Sequence, residues 1–230
     1  MVLEVLESAL NLKCAIGNTH GKRLDILAGS KVMILQELNE PFLNMAVSKA
    51  ATLLGAYDVN IVDNLVWDQD YMGRVFSFMA DAIFVATMTH MCVQRFANQS
   101  TVPVVCMRSR THASIQSLAT VMAIIKNPVS PLLYKASENM TTESHTSLKA
   151  CSEKEEVLKD ATVVIAGPSD VNKDIVKQKN HCIFFHTGPR GKEVDDELFF
   201  HENSKTFVAF ENFHYIAAAL MANVMKDYKF

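Results

Sequence analysis

Four short apolar runs alternate with amphipathic stretches through the first half of the chain. They are "KVMILQE" (31–37), "YDVNIVD" (57–63), "ADAIFVAT" (80–87) and "VPVVCM" (102–107). Runs this short and rich in β-branched residues predict strands. The stretches between them, "NMAVSKAATLLGAYD" (44–58), "DYMGRVFSFM" (70–79), "HMCVQRFANQS" (90–100) and "SIQSLATVMAIIK" (114–126), carry apolar residues at helical spacing, as does the opening segment 1–17. Strands separated by helices predict a doubly wound parallel α/β sheet. Gly55 stands where the helix of the first such stretch should close.

The pattern lapses over 127–156, where "NPVSPLLYKASENMTTESHTSLKACSEKEE" holds two prolines, many Ser and Thr residues and no sustained period. This predicts an irregular linker between a domain over 1–126 and a second over 157–230. In the second domain "ATVVIAG" (161–167) and "HCIFFHT" (181–187) read as strands around a polar helix, and "KTFVAF" (205–210) as a short third strand. The helix "ENFHYIAAALMANVMKDY" (211–228) closes the chain. A sheet of about three strands is small for an α/β domain, so the second domain reads as abridged.

Composition narrows the function classes. With 230 residues, 49% hydrophobic, the chain can bury a core, and a formal net charge of −3 with no Lys/Arg cluster argues against nucleic-acid binding. No window approaches the roughly 18 apolar residues of a membrane span. The five cysteines form no C-x-x-C pair and fit reduced thiols in an intracellular protein.

Several separated blocks then point to a family. "ADAIFVATMTHMCVQRFANQSTVPVVCMRSRTHASIQSLATVMAIIK", "LLGAYDVNIVD", "HTGPRGKEVDDELFF" and "AFENFHYIAAALMANVMKDY" together resemble ornithine carbamoyltransferase, in order and spacing. The likeness covers Val2 to about Lys126 and again about Val157 to Phe230. It implies a carbamoyl-phosphate-type N-terminal domain, an ornithine-binding-type second domain and a trimer. It implies no cofactor and no metal. The expected location is cytoplasmic, or mitochondrial with a presequence removed.

The same resemblance exposes losses. The family's S-T-R-T-R phosphate motif falls on Glu40, Pro41, Phe42, Leu43 and Asn44, so both arginines and all hydroxyls are gone. A helix start with Pro41 in its first turn accounts for those residues as well. A further family arginine falls on Ala86, and the one in the terminal helix on Phe213. H-P-x-Q falls on Ala113 to Gln116, of which Gln116 alone survives; His112 lies one position early. In the H-C-L-P loop His186 replaces the cysteine, Phe185 the histidine and Gly188 the proline. Cys182 and His186 share a strand face without two further ligands in view, so packing explains His186 better than a metal does. D-x-W-x-S-M-G falls on Gly167, Pro168 and Ser169 onward, without its aspartate.

Four lost arginines and one histidine amount to on the order of 10 kcal/mol of transition-state stabilisation. At about 1.4 kcal/mol per factor of ten, little catalysis survives. The expectation is therefore a pseudoenzyme with no catalytic residue, Gln116 being a vestige of the carbamoyl phosphate site. Its partners would be carbamoyl phosphate or another small anion, further copies of the chain, or a true carbamoyltransferase. The competing expectation is an active carbamoyltransferase making citrulline from carbamoyl phosphate and ornithine, or one of altered specificity with a relocated anion site at Arg108, Arg110 and Arg190. Arg108 and Arg110 sit where a strand hands over to a helix, a usual ligand position in parallel sheets.

Overall fold

The computed structural model describes residues 2–17, 23–37, 39–67, 71–126, 158, 161–167, 182–187, 190–191 and 194–230. The linker 127–156, the polar helix expected between the last two strands, and Pro168, Ser169 and Gly188 lie outside them. The chain divides into two compact units, one of residues 1–119 and 211–230 and one of residues 120–210.

In the first unit, α1 (Val2–Gly17) precedes β1 (Lys31–Gln36), α2 (Pro41–Leu53), β2 (Asp58–Val62), α3 (Met72–Phe76), β3 (Ala82–Ala86), α4 (His90–Gln99) and β4 (Val104–Arg108), and α5 (Ser114–Ile125) begins in it and continues into the second. The four strands form one parallel sheet in the order β2-β1-β3-β4. Both faces of its centre are covered. Met33, Leu35, Ile83 and Val85 pack with Val93 and Phe96, while the alternate residues Val32, Ile34, Ala82 and Phe84 are fully buried as well. A strand buried on both faces needs an unbroken apolar run, which is what "KVMILQ" and "AIFVA" supply.

Local chemistry sets the element ends. Pro41 occupies the first turn of α2, where its missing N–H costs nothing. Gly55, at φ 88°, lets the chain leave α2 in the left-handed region, and a Cβ there would lie 2.6 Å from the Leu24 carbonyl oxygen. Helix α3 is only five residues long, shorter than the 70–79 stretch suggested.

The second unit contains β5 (Val163–Ala166) and β6 (Ile183–His186), paired in parallel, and α6 (Asp196–Phe199), capped by the Asp195 carboxylate accepting from the Leu198 N–H at 3.0 Å. The third strand expected at 205–210 is not a strand: α7 runs unbroken from Thr206 to Lys226. Strand pairing there amounts to a single bridge between Phe184 and Ser204. A six-residue apolar run does not distinguish a strand from a buried helical turn. Here tertiary packing decides, with Ala209 joining Ala123, Ile124, Ile183 and Phe185 while Phe210 packs against the Phe184, Val194, Leu198 and Phe199 cluster.

In the first unit α7 places His214 in the core, and burial, with Lys49 next in weight, pulls its pKa down to about 4 from 6.5. The folded state therefore holds a neutral imidazole that the unfolded chain would protonate near pH 6.5. Stability from this group is complete above pH 6.5 and is lost as pH falls from 6.5 towards 4. Replacement by a non-titrating residue, His214→Gln, should flatten the melting temperature over that window relative to the wild type, measured by circular dichroism.

Candidate functional site

The strand order places the switch point between β1 and β3, since the chain goes from β1 to β2 on one side and from β3 to β4 on the other. Ligands of such sheets bind outside the C-terminal strand ends at this point. Two acidic side chains stand there. Glu37 follows β1, and its Oε2 accepts from the Thr87 hydroxyl at 2.6 Å and from the Met88 N–H at 2.9 Å, just beyond β3. Its own N–H donates to the Ala86 carbonyl at 2.9 Å.

Glu40 is the N-cap residue of α2, but its side chain does not cap the helix. It faces Arg108 instead, with Oε1 2.6 Å from Nη1 and both side chains largely buried, 12% and 23% exposed. Arg108 reaches it because β4 bulges: Val85 pairs with Cys106 but Ala86 pairs with Arg108, so Met107 is an extra, fully buried residue. One extra residue at a strand end re-aims the side chain that follows.

Gln36 holds the α2 end in place. Its Oε1 accepts from Asn44 Nδ2 at 2.7 Å and from the Glu40 N–H at 3.3 Å, and its amide nitrogen donates to Asp63. The other positions picked out by the family motifs are packed or turned to solvent. Ala86 and Phe213 are buried, Asn44 is buried against Gln36, and Phe42 is exposed.

Beyond β4, the Ser109 N–H donates to the His112 carbonyl at 2.7 Å and the Arg110 N–H to the Met88 carbonyl at 3.1 Å. Arg110 is exposed, and Gln116 is buried in α5 two residues after its start at Ser114. Arg108, Arg110 and Gln116 thus belong to one unit and flank one turn, with Arg108 engaged by Glu40.

Arg190 belongs to the second unit. It pairs with Asp196, donates to the Val194 carbonyl at 3.4 Å and lies over the Phe199 ring, 4.6 Å from its centre. His186 ends β6, 2% exposed, with its backbone N–H donating to Thr206 Oγ1 at 3.0 Å and its ring set edgewise to Phe199. Cys182 is buried four residues earlier. Among the described residues no three His, Cys, Asp or Glu side chains gather as a metal site. No described helix is long and apolar enough to cross a membrane.

Sequence reasoning missed the Glu40–Arg108 pair. The one available signal was the appearance of an acidic residue at the α2 cap together with an arginine at the end of a strand two places away in the sheet.

A family model, "Aspartate/ornithine carbamoyltransferase, Asp/Orn binding domain", matches residues 66–224. The chain belongs to this family. Solved structures share the fold at low sequence identity. The ornithine carbamoyltransferase from Pyrococcus furiosus superposes with a TM-score of 0.82 at 22% identity, covering 99% of this chain and 94% of that one. A mitochondrial ornithine carbamoyltransferase from Coccidioides immitis gives 0.80 at 16%, covering 97% and 93%. The ornithine transcarbamoylase from Giardia lamblia gives 0.79 at 14%, covering 99% and 95%. No curated protein matches the sequence.

Within this carbamoyltransferase-family chain, the C-terminal edge of the first sheet holds Arg108 ion-paired with Glu40 and the Met88 N–H bound to Glu37, with Arg110 exposed beside them. That arrangement suits packing and cohesion between β1, β3, β4 and α2. It is poorly suited to receiving a second, external anion, which would meet Glu37 and Glu40 at close range.

Proposed function

We propose that this chain is a carbamoyltransferase-family protein that does not transfer carbamoyl groups and keeps its fold for a binding or scaffolding role. The observation that carries this reading is the Glu40–Arg108 ion pair at the switch point. Binding a doubly charged phosphate requires unengaged donors. Here the Arg108 guanidinium faces Glu40, and the Met88 N–H faces Glu37.

The reading extends to the organisation of the chain. Residues 1–126 serve as a carbamoyl-phosphate-binding-like domain, 127–156 as a linker, and 157–230 as an abridged ornithine-binding-like domain. Gln116 is the remnant of the carbamoyl phosphate site. The partners are further copies in a trimer or subunits of a true carbamoyltransferase, with carbamoyl phosphate or another small anion at most a weak ligand. An intracellular setting is part of the same reading. A relocated anion site at Arg108, Arg110 and Arg190 would need the Glu40 and Asp196 pairs to open.

The test is differential scanning fluorimetry of the purified chain with millimolar carbamoyl phosphate, phosphate or ornithine, together with a citrulline assay. A ligand at 100 times its Kd stabilises the native state by about 2.7 kcal/mol, which a melt detects easily. The expected result is a cooperative melt, no shift and no citrulline. Turnover, or a shift that Gln116→Ala abolishes, would overturn the proposal.

A further inference from the structure

The turn between β4 and α5 is tied to the first turn of α4 by two imidazoles. His90 is the first residue of α4, and His112 stands two residues before α5. Their rings are stacked, with centroids 3.7 Å apart and planes within 20°. His90 Nδ1 also lies 3.4 Å from Ser109 Oγ and 3.8 Å from Cys106 Sγ. Ser109 closes the turn on itself, because its Oγ accepts from the His112 N–H at 3.1 Å while its own N–H donates to the His112 carbonyl. Opening the stack therefore loosens the same residues that hold the turn.

Neutral imidazoles stack as other aromatic rings do. Imidazolium rings at the same separation repel, and a protonated ring held against a neighbour loses part of its hydration. Both effects act on His90: burial lowers its pKa from the ordinary histidine value of 6.5, and the charge of His112 lowers it further. The other titratable groups on the surrounding elements are Glu37 after β1, Cys92 and Arg95 on α4, Cys106 and Arg108 on β4, and Arg110 in the turn. Glu37 is held by Thr87 and Met88, and Arg108 by Glu40; burial raises the pKa of the Cys106 thiol and keeps it neutral. His112 is the neighbour whose charge bears on His90.

We propose that the His90–His112 stack is a proton-operated latch that holds the β4–α5 turn against α4 and releases it on acidification. Since the stacked state disfavours protonated His90, the released state takes up protons first. The latch is closed above pH 6.5 and weakens as pH falls below it. What it releases is the segment that carries Arg110 and leads into α5, so the accessibility of that turn follows pH. This inference stands apart from the question of catalysis, since it needs neither substrate nor turnover.

The test is hydrogen exchange of the backbone amides of residues 109–113 in the full chain at pH 7.5 and 5.5, corrected for intrinsic exchange. In the wild type, protection should fall by at least about twofold on acidification. In His90→Phe, which keeps a stacking ring but removes the imidazole whose protonation the stack disfavours, it should change less than about twofold. His214 is present in both proteins, so its titration cancels. Equal pH dependence in the two, or none in the wild type, would overturn the latch. A second measurement needs no variant. The His90 ring and the turn amides, followed by NMR through the same pH range, should shift with one shared midpoint, and separate midpoints would overturn it.

Discussion

Phe84→Ala should destabilise the first unit by about 3–5 kcal/mol, the largest effect expected of any single substitution discussed for this chain. Phe84 is fully buried at the centre of β3, which is itself flanked by β1 and β4 and pairs with Ile34 and Val105 in register. Truncation loses the transfer free energy of the ring and leaves a cavity that a sheet bonded on both sides cannot close. Natural domains are stable by only about 5–15 kcal/mol, so the variant would retain a much smaller margin. Urea unfolding followed by circular dichroism reads the change as a lower midpoint at an unchanged slope. Phe84→Leu, which preserves most of the volume, should cost less than about 1.5 kcal/mol. A Phe84→Ala variant as stable as the wild type would mean that the first sheet is not the core of the unit.

Arg108→Ala is expected to cost about 2–3 kcal/mol, more than an ordinary surface charge, because it strands Glu40 with only 12% of its side chain exposed. Glu40→Ala should cost less, since Arg108 is the more exposed partner and its long side chain can turn towards water. The double variant should be more stable than the sum of the two losses implies, by about 1–2 kcal/mol of coupling. The cycle also bears on function. If Glu40 is what keeps external anions out, phosphate should raise the melting temperature of Glu40→Gln but not of the wild type or of Glu40→Gln with Arg108→Ala. A zero coupling energy would mean that the pair is a solvated surface contact, and would remove the observation on which the proposed loss of catalysis rests.

Much of the architecture was readable in the chain itself. The runs around Val32–Leu35 and Ala82–Ala86 are apolar on both strand faces, a pattern that only a sheet covered on both sides accommodates. Pro41 and Gly55 mark the two ends of α2 because each has a backbone preference that the helix interior excludes. The apolar segment 205–210 shows where such reading stops. Its composition suits a strand, yet as part of a 21-residue helix it buries Ala209 and packs Phe210, and the longer element prevails.

The site divides in the same way. Which side chains stand at the positions compared with the family's motifs is a property of the sequence, whatever the fold does with the rest. The destination of the surviving charges was not in the sequence. Glu40 and Arg108 are 68 positions apart and meet because β4 lies next to β3, carries one extra residue at Met107, and so turns an arginine towards the start of α2. His90 and His112 meet for a related reason, since the loops that follow adjacent parallel strands converge at one edge of the sheet. Local preference and hydrophobic period are encoded residue by residue, so the sequence determined most of the elements. Partnership between distant side chains depends on strand order and register, which only the folded chain specifies.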